Sequence, residues 1–233
     1  MTDALDRVGV AKSRSMGGES GQAVLEAAIV LPLCLALILC AIQLAQLQQA
    51  RVLLEYAAFN AARAGIVHDG ENDARGTAGP MHDAAALSLL PSFGRTDGFA
   101  AVTRTWAQFR AREAMLTATR LPLLQVSVLN PRRADFARLG EHLDGQEIDF
   151  DDVRPQAADA NLLSIDVRYL YELRVPFANQ LIQGAWLLRP ASATADDRAA
   201  LALLGRQGRY FVPVHAFYTM RMQSNPFLRW AAP

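Results

Sequence analysis

The chain has 233 residues and a mass of 25.4 kDa, which suits one membrane segment plus one modest soluble domain, since domains usually run about 100 to 200 residues. Lys+Arg (23) balance Asp+Glu (23), so there is no basic excess of the kind that drives binding to a phosphate backbone, and nucleic acid is excluded as an expected partner. Both cysteines, Cys34 and Cys40, fall in one apolar run; six positions apart on a helix they point about 120° apart and cannot bridge to each other.

Residues 1–20 are polar and carry Arg7, Lys12 and Arg14. They read as a leader or short cytoplasmic tail rather than folded structure, and their positive charge favours a cytoplasmic N-terminus. Arg51 and Arg63 lie beyond the apolar run and pull the other way. From Ala27 to Ala45 there is no charge, and Gln43 is the strongly polar residue. At 1.5 Å per residue this run covers about 28 Å, close to the thickness of a bilayer core, so a spanning helix is expected. A cleavable secretory signal would have a shorter apolar region and a small-residue exit site, for which Gln43-Leu44-Ala45 is a poor candidate. Pro32 deletes one backbone hydrogen bond and predicts a kink.

Past the apolar run, Leu47, Ala50, Leu54, Ala57, Ala61 and Ala64 recur at spacings of three and four, with Gln48, Gln49, Arg51, Glu55 and Asn60 on other faces. This predicts an amphipathic continuation to about Val67. Ala57, Ala58, Ala61, Ala62, Ala64 and Gly65 form a small-residue surface that lets another layer approach closely. The expected object is one helix over 22–67, half in lipid and half packed on a soluble domain.

Glycines, Asp69, Asn72 and Asp73 mark a loop over 68–80. A short helix is predicted from Met81 to Leu90, a turn at Arg95–Gly98, and a helix from Trp106 to Arg120. Six arginines between Arg104 and Arg133 face Glu113 alone, and seven acids between Asp135 and Asp152 face Arg138; such stretches suit pairing within the fold or between subunits, or a solvated surface. Within the acidic stretch 141–152, Glu147, Asp149 and Asp151 alternate, which would suit Ca²⁺ by ligand chemistry but matches no ion-binding spacing. Three strands follow from alternation: Val126 and Val128 ahead of Asn130-Pro131; Leu163 through Val175; and Tyr210 through Met222. Pro213 marks the last as an edge strand or a bulge. One buried face and one wet face are expected of the sheet. Phe177, Leu181, Ala185 and Leu188 have helical spacing, and Asp196 to Leu204 reads as a further short helix.

No catalytic or metal signature appears. His68, His82, His142 and His215 lie in separate elements without metal-ligand spacing, no serine sits in a nucleophile-elbow motif, and no glycine loop joins a strand to a helix. No catalytic residue, metal site or cofactor is therefore expected. Glu26 is the residue whose position demands a reason. A charge at the bilayer centre costs about 3 kcal/mol, less near an interface, and an acid there is either functional or snorkelling to the boundary.

Gly21-Gln22-Ala23-Val24-Leu25-Glu26, then Val30-Leu31-Pro32-Leu33, then Leu54-Glu55-Tyr56-Ala57-Ala58-Phe59-Asn60-Ala61-Ala62-Arg63-Ala64-Gly65, resemble the TadE-like pseudopilins of tight-adherence (Tad, or Flp) type IV pili. Ala27 departs from the aromatic residue usual at that place. Tyr218 to Asn225 is similar to the C-terminal end of such chains, while roughly 81–160 and 190–208 carry no family signal. The resemblance implies cleavage by a prepilin peptidase between Gly21 and Gln22, and a pairing of Glu26 with the freed Gln22 amine of a neighbouring subunit as helices bundle. It further implies as partners other pilins or pseudopilins and the Tad assembly platform, with the helix in the inner membrane.

The expected fold is thus α+β and pilin-like: a leader over 1–21, a long helix over 22–67 that is transmembrane over 27–45, and a periplasm-facing domain over 68–233 with about three antiparallel strands and short helices. The expected role is a structural minor pilin or pseudopilin, inner-membrane and single-pass, with extracellular placement if it enters a pilus. Two other readings stand beside it. One is an uncleaved single-pass protein with a periplasmic partner-binding domain; the other, a membrane-anchored hydrolase, would need a site without a motif in the middle region.

Overall fold

The computed structural model describes residues 17–73, 75–117, 121–139, 145–189 and 195–232. The rest of the expected leader, with Glu141, His142, Asp144 and Arg120, lies outside the described residues. Among the described residues the chain forms seven α-helices and one three-stranded sheet, α+β as expected.

Helix α1 runs unbroken from Gly17 to Val67, 51 residues and about 76 Å long. It starts inside the segment expected to be unstructured, so Gly17–Gly21 continue the helix rather than precede it. It also passes through Pro32 as one element. A proline's missing donor is tolerated more readily in an apolar helix of this kind than in a soluble one.

The second half of α1 is a packing surface. Leu54, Ala57, Ala58, Ala61 and Ala62 are fully buried, with Ala50 and Ile66 at the ends of the same stripe. Burying Leu54 alone is worth about 1.5 to 3 kcal/mol. The small residues bring backbones together: a Cβ on Gly65 would lie 2.6 Å from Leu163 Cδ2 and 2.5 Å from Met81 Sδ. Helix α2 (Pro80–Leu89) lies along this stripe with Met81, Ala85, Ala86 and Leu89 buried. Asn60 Nδ2 donates to Ser88 Oγ at 2.8 Å across that contact.

The sheet has the order β1 (Leu124–Asn130), β2 (Leu162–Glu172), β3 (Phe211–Arg221), all antiparallel. In register, Val126 faces Val167 and Val167 faces Ala216, so their buried side chains meet α1 and α2. The alternation in β2 ends at Glu172; Leu173 and Val175 are buried but outside the strand. Pro213 stands on β3, an edge strand, where its missing donor costs no ladder bond to a further strand.

The second face of the sheet is not wholly wet. Leu170 is 1% exposed and Phe211 is fully buried. Over that end lies α7 (Ala195–Arg206), which buries Leu201 and Leu204 and places Asp197 Oδ2 3.2 Å from Arg168 Nη1. Helix α3 (Phe99–Thr117) begins seven positions before the expected Trp106, because the Gly98 carbonyl accepts the first helical bonds, from Ala101 and Val102. Helices α4 (Arg133–Leu139) and α5 (Pro155–Ala160) had no counterpart in the sequence reading; they bury Phe136, Leu139, Ala157 and Ala160 with Ile148 in a second small core. Helix α6 (Ala178–Leu187) matches its periodic signal.

Candidate assembly helix

The residues singled out at the N-terminus share one and a half turns of α1. Gln22 Nε2 donates to Glu26 Oε1 at 3.0 Å, an i,i+4 contact on an exposed face. Gly21, one residue earlier, has open space on the side where a Cβ would stand. Every residue from Gly21 to Leu35 is exposed, among them Val24, Leu25, Ile29, Val30, Leu31 and Leu33. An apolar helix surface that large without a protein partner belongs to lipid or to other helices. Its most apolar window has a mean hydropathy of 2.6 and is wholly unburied. Cys34 is exposed in the same segment and Cys40 half-buried; both are free thiols.

Protein contacts begin at Ala36 and strengthen at Gln43, which is completely buried. Its Oε1 accepts the Val175 backbone N–H at 2.8 Å, joining α1 to the segment after β2. The sequence showed Gln43 only as a polar residue in an apolar run. The signal that finds its role is the unpaired Val175 amide past the end of a strand, which needs an acceptor when buried. Burial pushes the nearby Tyr171 phenol above its ordinary pKa, while Arg174 and Gln43 pull it down.

The far end of α1 is held by the C-terminal segment. The helix finishes in a left-handed turn at Asp69 (φ 58°) and Gly70 (φ 74°), and Gly70 N–H reaches back to Gly65 O at 2.9 Å. Ser224 Oγ donates to Ile66 O and accepts from Asp69 N–H, each at 3.0 Å; Gln223 N–H also donates to Ile66 O. Asn225 ties the loop further by accepting from Phe150 N–H. The end of the chain therefore caps the helix on which it depends.

Other polar groups contact one another between elements. His82, fully buried, has Nε2 2.8 Å from Glu113 Oε1; the approach is close but poorly aligned as a hydrogen bond. Arg110 Nη1 holds the other oxygen of Glu113 at 2.8 Å. Sequence reasoning did not pair His82 with Glu113, which lie on different helices. His215 Nδ1 sits 3.1 Å from Asp166 Oδ2 across the β2–β3 pair. The arginine-rich and acid-rich stretches pair locally or elsewhere: Arg112 with Glu172, Asp135 with Arg138, and Asp152 with Arg154. Glu147, Asp149 and Asp151 border one surface groove, yet Glu147 accepts from Asn225 and Asp149 Oδ1 from Asp151 N–H. Among the described residues no three His, Cys, Asp or Glu side chains are arranged to hold a metal ion.

Comparison with curated proteins and with solved structures finds no match. A family model described as TadE-like protein matches residues 21–63. Over those residues, the exposed apolar segment and most of the buried alanine stripe, the chain is similar to TadE-like proteins, consistent with a protein of Tad pilus systems.

Proposed function

We propose that this chain is a structural, non-catalytic subunit of a Tad-type pilus, a minor pilin or pseudopilin, with α1 in the inner membrane and the sheet domain on the periplasmic side. A prepilin peptidase cuts it between Gly21 and Gln22. The observation that carries the reading is the division of one continuous helix: Gly21–Leu35 exposes apolar side chains on all sides, while the remainder is fixed in a folded domain. Such a helix serves as a handle by which a domain is packed beside other helices.

Glu26 gives the packing its register. In the uncut chain the Gln22 side-chain amide occupies it. Cleavage frees an α-amine at Gln22, and a neighbour's Glu26 neutralises that cation where hydrocarbon makes an unpaired charge costly. Pro32 loosens the helix at the level where neighbours pack.

Sequencing the N-terminus of the purified protein from cells with and without the prepilin peptidase tests the proposal. Gln22 as first residue, dependent on the peptidase, supports it. An N-terminus at residue 1 or 2 in both strains supports instead the uncleaved single-pass protein with a partner-binding domain.

A further inference from the structure

Helix α6 has an unusual surface. From Val175 to Leu188 the chain carries no charge, and Arg174 and Arg189 bracket the run. One side of α6 packs on the core through Ala178, Ile182, Gln183 and Trp186. The opposite side carries large apolar side chains beside Gln180, with Phe177 67%, Leu181 58% and Leu188 85% exposed. Large apolar side chains on the outer side of a helix suit a protein partner or lipid.

Its position decides between them. Phe177, Gln180 and Leu181 share a groove of about 360 Å³ with Pro32, Leu35, Ala36 and Leu39 of α1. Those α1 residues belong to the apolar run that ends at Ala45. Along the helix axis they stand about 9 to 20 Å inside the end of that run. Residues that touch them share their depth.

The length of α1 points the same way. If the domain stayed wholly outside the membrane, the free stretch Gln22–Leu35 would supply only about 21 Å for a core of about 30 Å. That stretch already holds Glu26, and extending it back to Gly17 would draw Glu19 into the span as well. The backbone of Phe177 adds a third observation. Its φ of 63° is a strained conformation for an aromatic residue, and its ring is exposed.

We infer that α6 is a second membrane contact: it is immersed beside α1 in the leaflet nearest the domain, with lipid acyl chains filling the Phe177–Leu181–Leu35 groove. The inference rests on the membrane placement of α1 proposed above. Its consequence is that the sheet domain is seated on the bilayer in one orientation rather than swinging on a stalk.

Nitroxide labels read this directly in the full-length protein, reconstituted in phosphatidylcholine/phosphatidylglycerol vesicles. Cys34→Ala and Cys40→Ala clear the background, and single labels go on through Leu181→Cys, Leu35→Cys and Val153→Cys, all at exposed positions. The label at 181 is expected to match the label at 35, with an oxygen-to-nickel-chelate accessibility ratio roughly tenfold above that at 153, because a polar chelate is excluded from hydrocarbon. A label at 181 that behaves like 153 overturns the inference while leaving the α1 placement intact. A label at 181 closed to both quenchers also overturns it, and assigns the groove to a second protein copy. If the label at 35 also reads as aqueous, the membrane placement of α1 fails, and the inference with it.

Discussion

The two halves of α1 have the same secondary structure and opposite physics. Between Gly21 and Leu35 the helix is exposed on every face and meets the domain only at the groove that Pro32 and Leu35 share with α6; between Ala50 and Ile66 it is apolar on one face, and that face is fully used. Large aliphatic residues suit the first half, because fluid lipid accepts any shape. Alanine and glycine suit the second, because α2 and β2 have fixed positions and the backbone must come to them. Apolarity alone therefore specifies only the environment. Residue size specifies a partner.

The same substitution in each half separates these roles. Leu54→Ala is expected to lower domain stability by about 2 to 5 kcal/mol, as a fully buried leucine leaves a cavity. Leu31→Ala, at a site 66% exposed, is expected to leave it unchanged. Urea unfolding followed by tryptophan fluorescence in detergent micelles measures both, and equal losses would erase the distinction.

Alkali should act on the buried half's partners and not on the free half. Burial pushes the Tyr169 phenol up to about 12, partly offset by its contact with Ser92, and raises Tyr171 as well. A raised phenol pKa means that stability is full below pH 10. As pH climbs from 10 towards 12 the unfolded chain ionises first and stability is lost. Tyr169 accounts for up to about 3 kcal/mol of that loss. Tyr169→Phe should flatten the decline in a pH series of unfolding midpoints.

The two glycines give a smaller contrast. Gly65→Ala drives a methyl into Leu163 and Met81, costing about 1 to 3 kcal/mol in overpacking against about 1 regained in helix propensity. Gly21→Ala meets open space and should not lower stability at all. Smallest of the set, Ser224→Ala removes the hydroxyl that bridges Ile66 and Asp69 and should cost about 1 kcal/mol. Hydrogen exchange should then quicken at the last turn of α1 before it does elsewhere.

Much of this architecture is legible in the sequence where one periodicity dominates. The alternation from Leu163 onward yields β2, and the three-and-four spacing from Leu47 yields the buried stripe of α1. What escapes is whatever depends on a distant partner. Helices α4 and α5 are too short to carry a period and exist because they close a small core with Ile148. Gln43 meets Val175, and His82 meets Glu113, across gaps no local pattern spans. The motif around Gly21, Gln22 and Glu26 was visible as residues, and its surroundings were not: the exposure of the whole segment and the Gln22–Glu26 contact come from the fold.

The most direct test of that exposed half is a pull-down of the chain from solubilised membranes, wild type against Glu26→Ala, scored for the pilins that the proposed function expects beside it and for its first residue. The account predicts Gln22 as first residue in both, with pilins recovered by the wild type and lost from the variant. Full recovery of the same pilins by Glu26→Ala, processed alike, would contradict it.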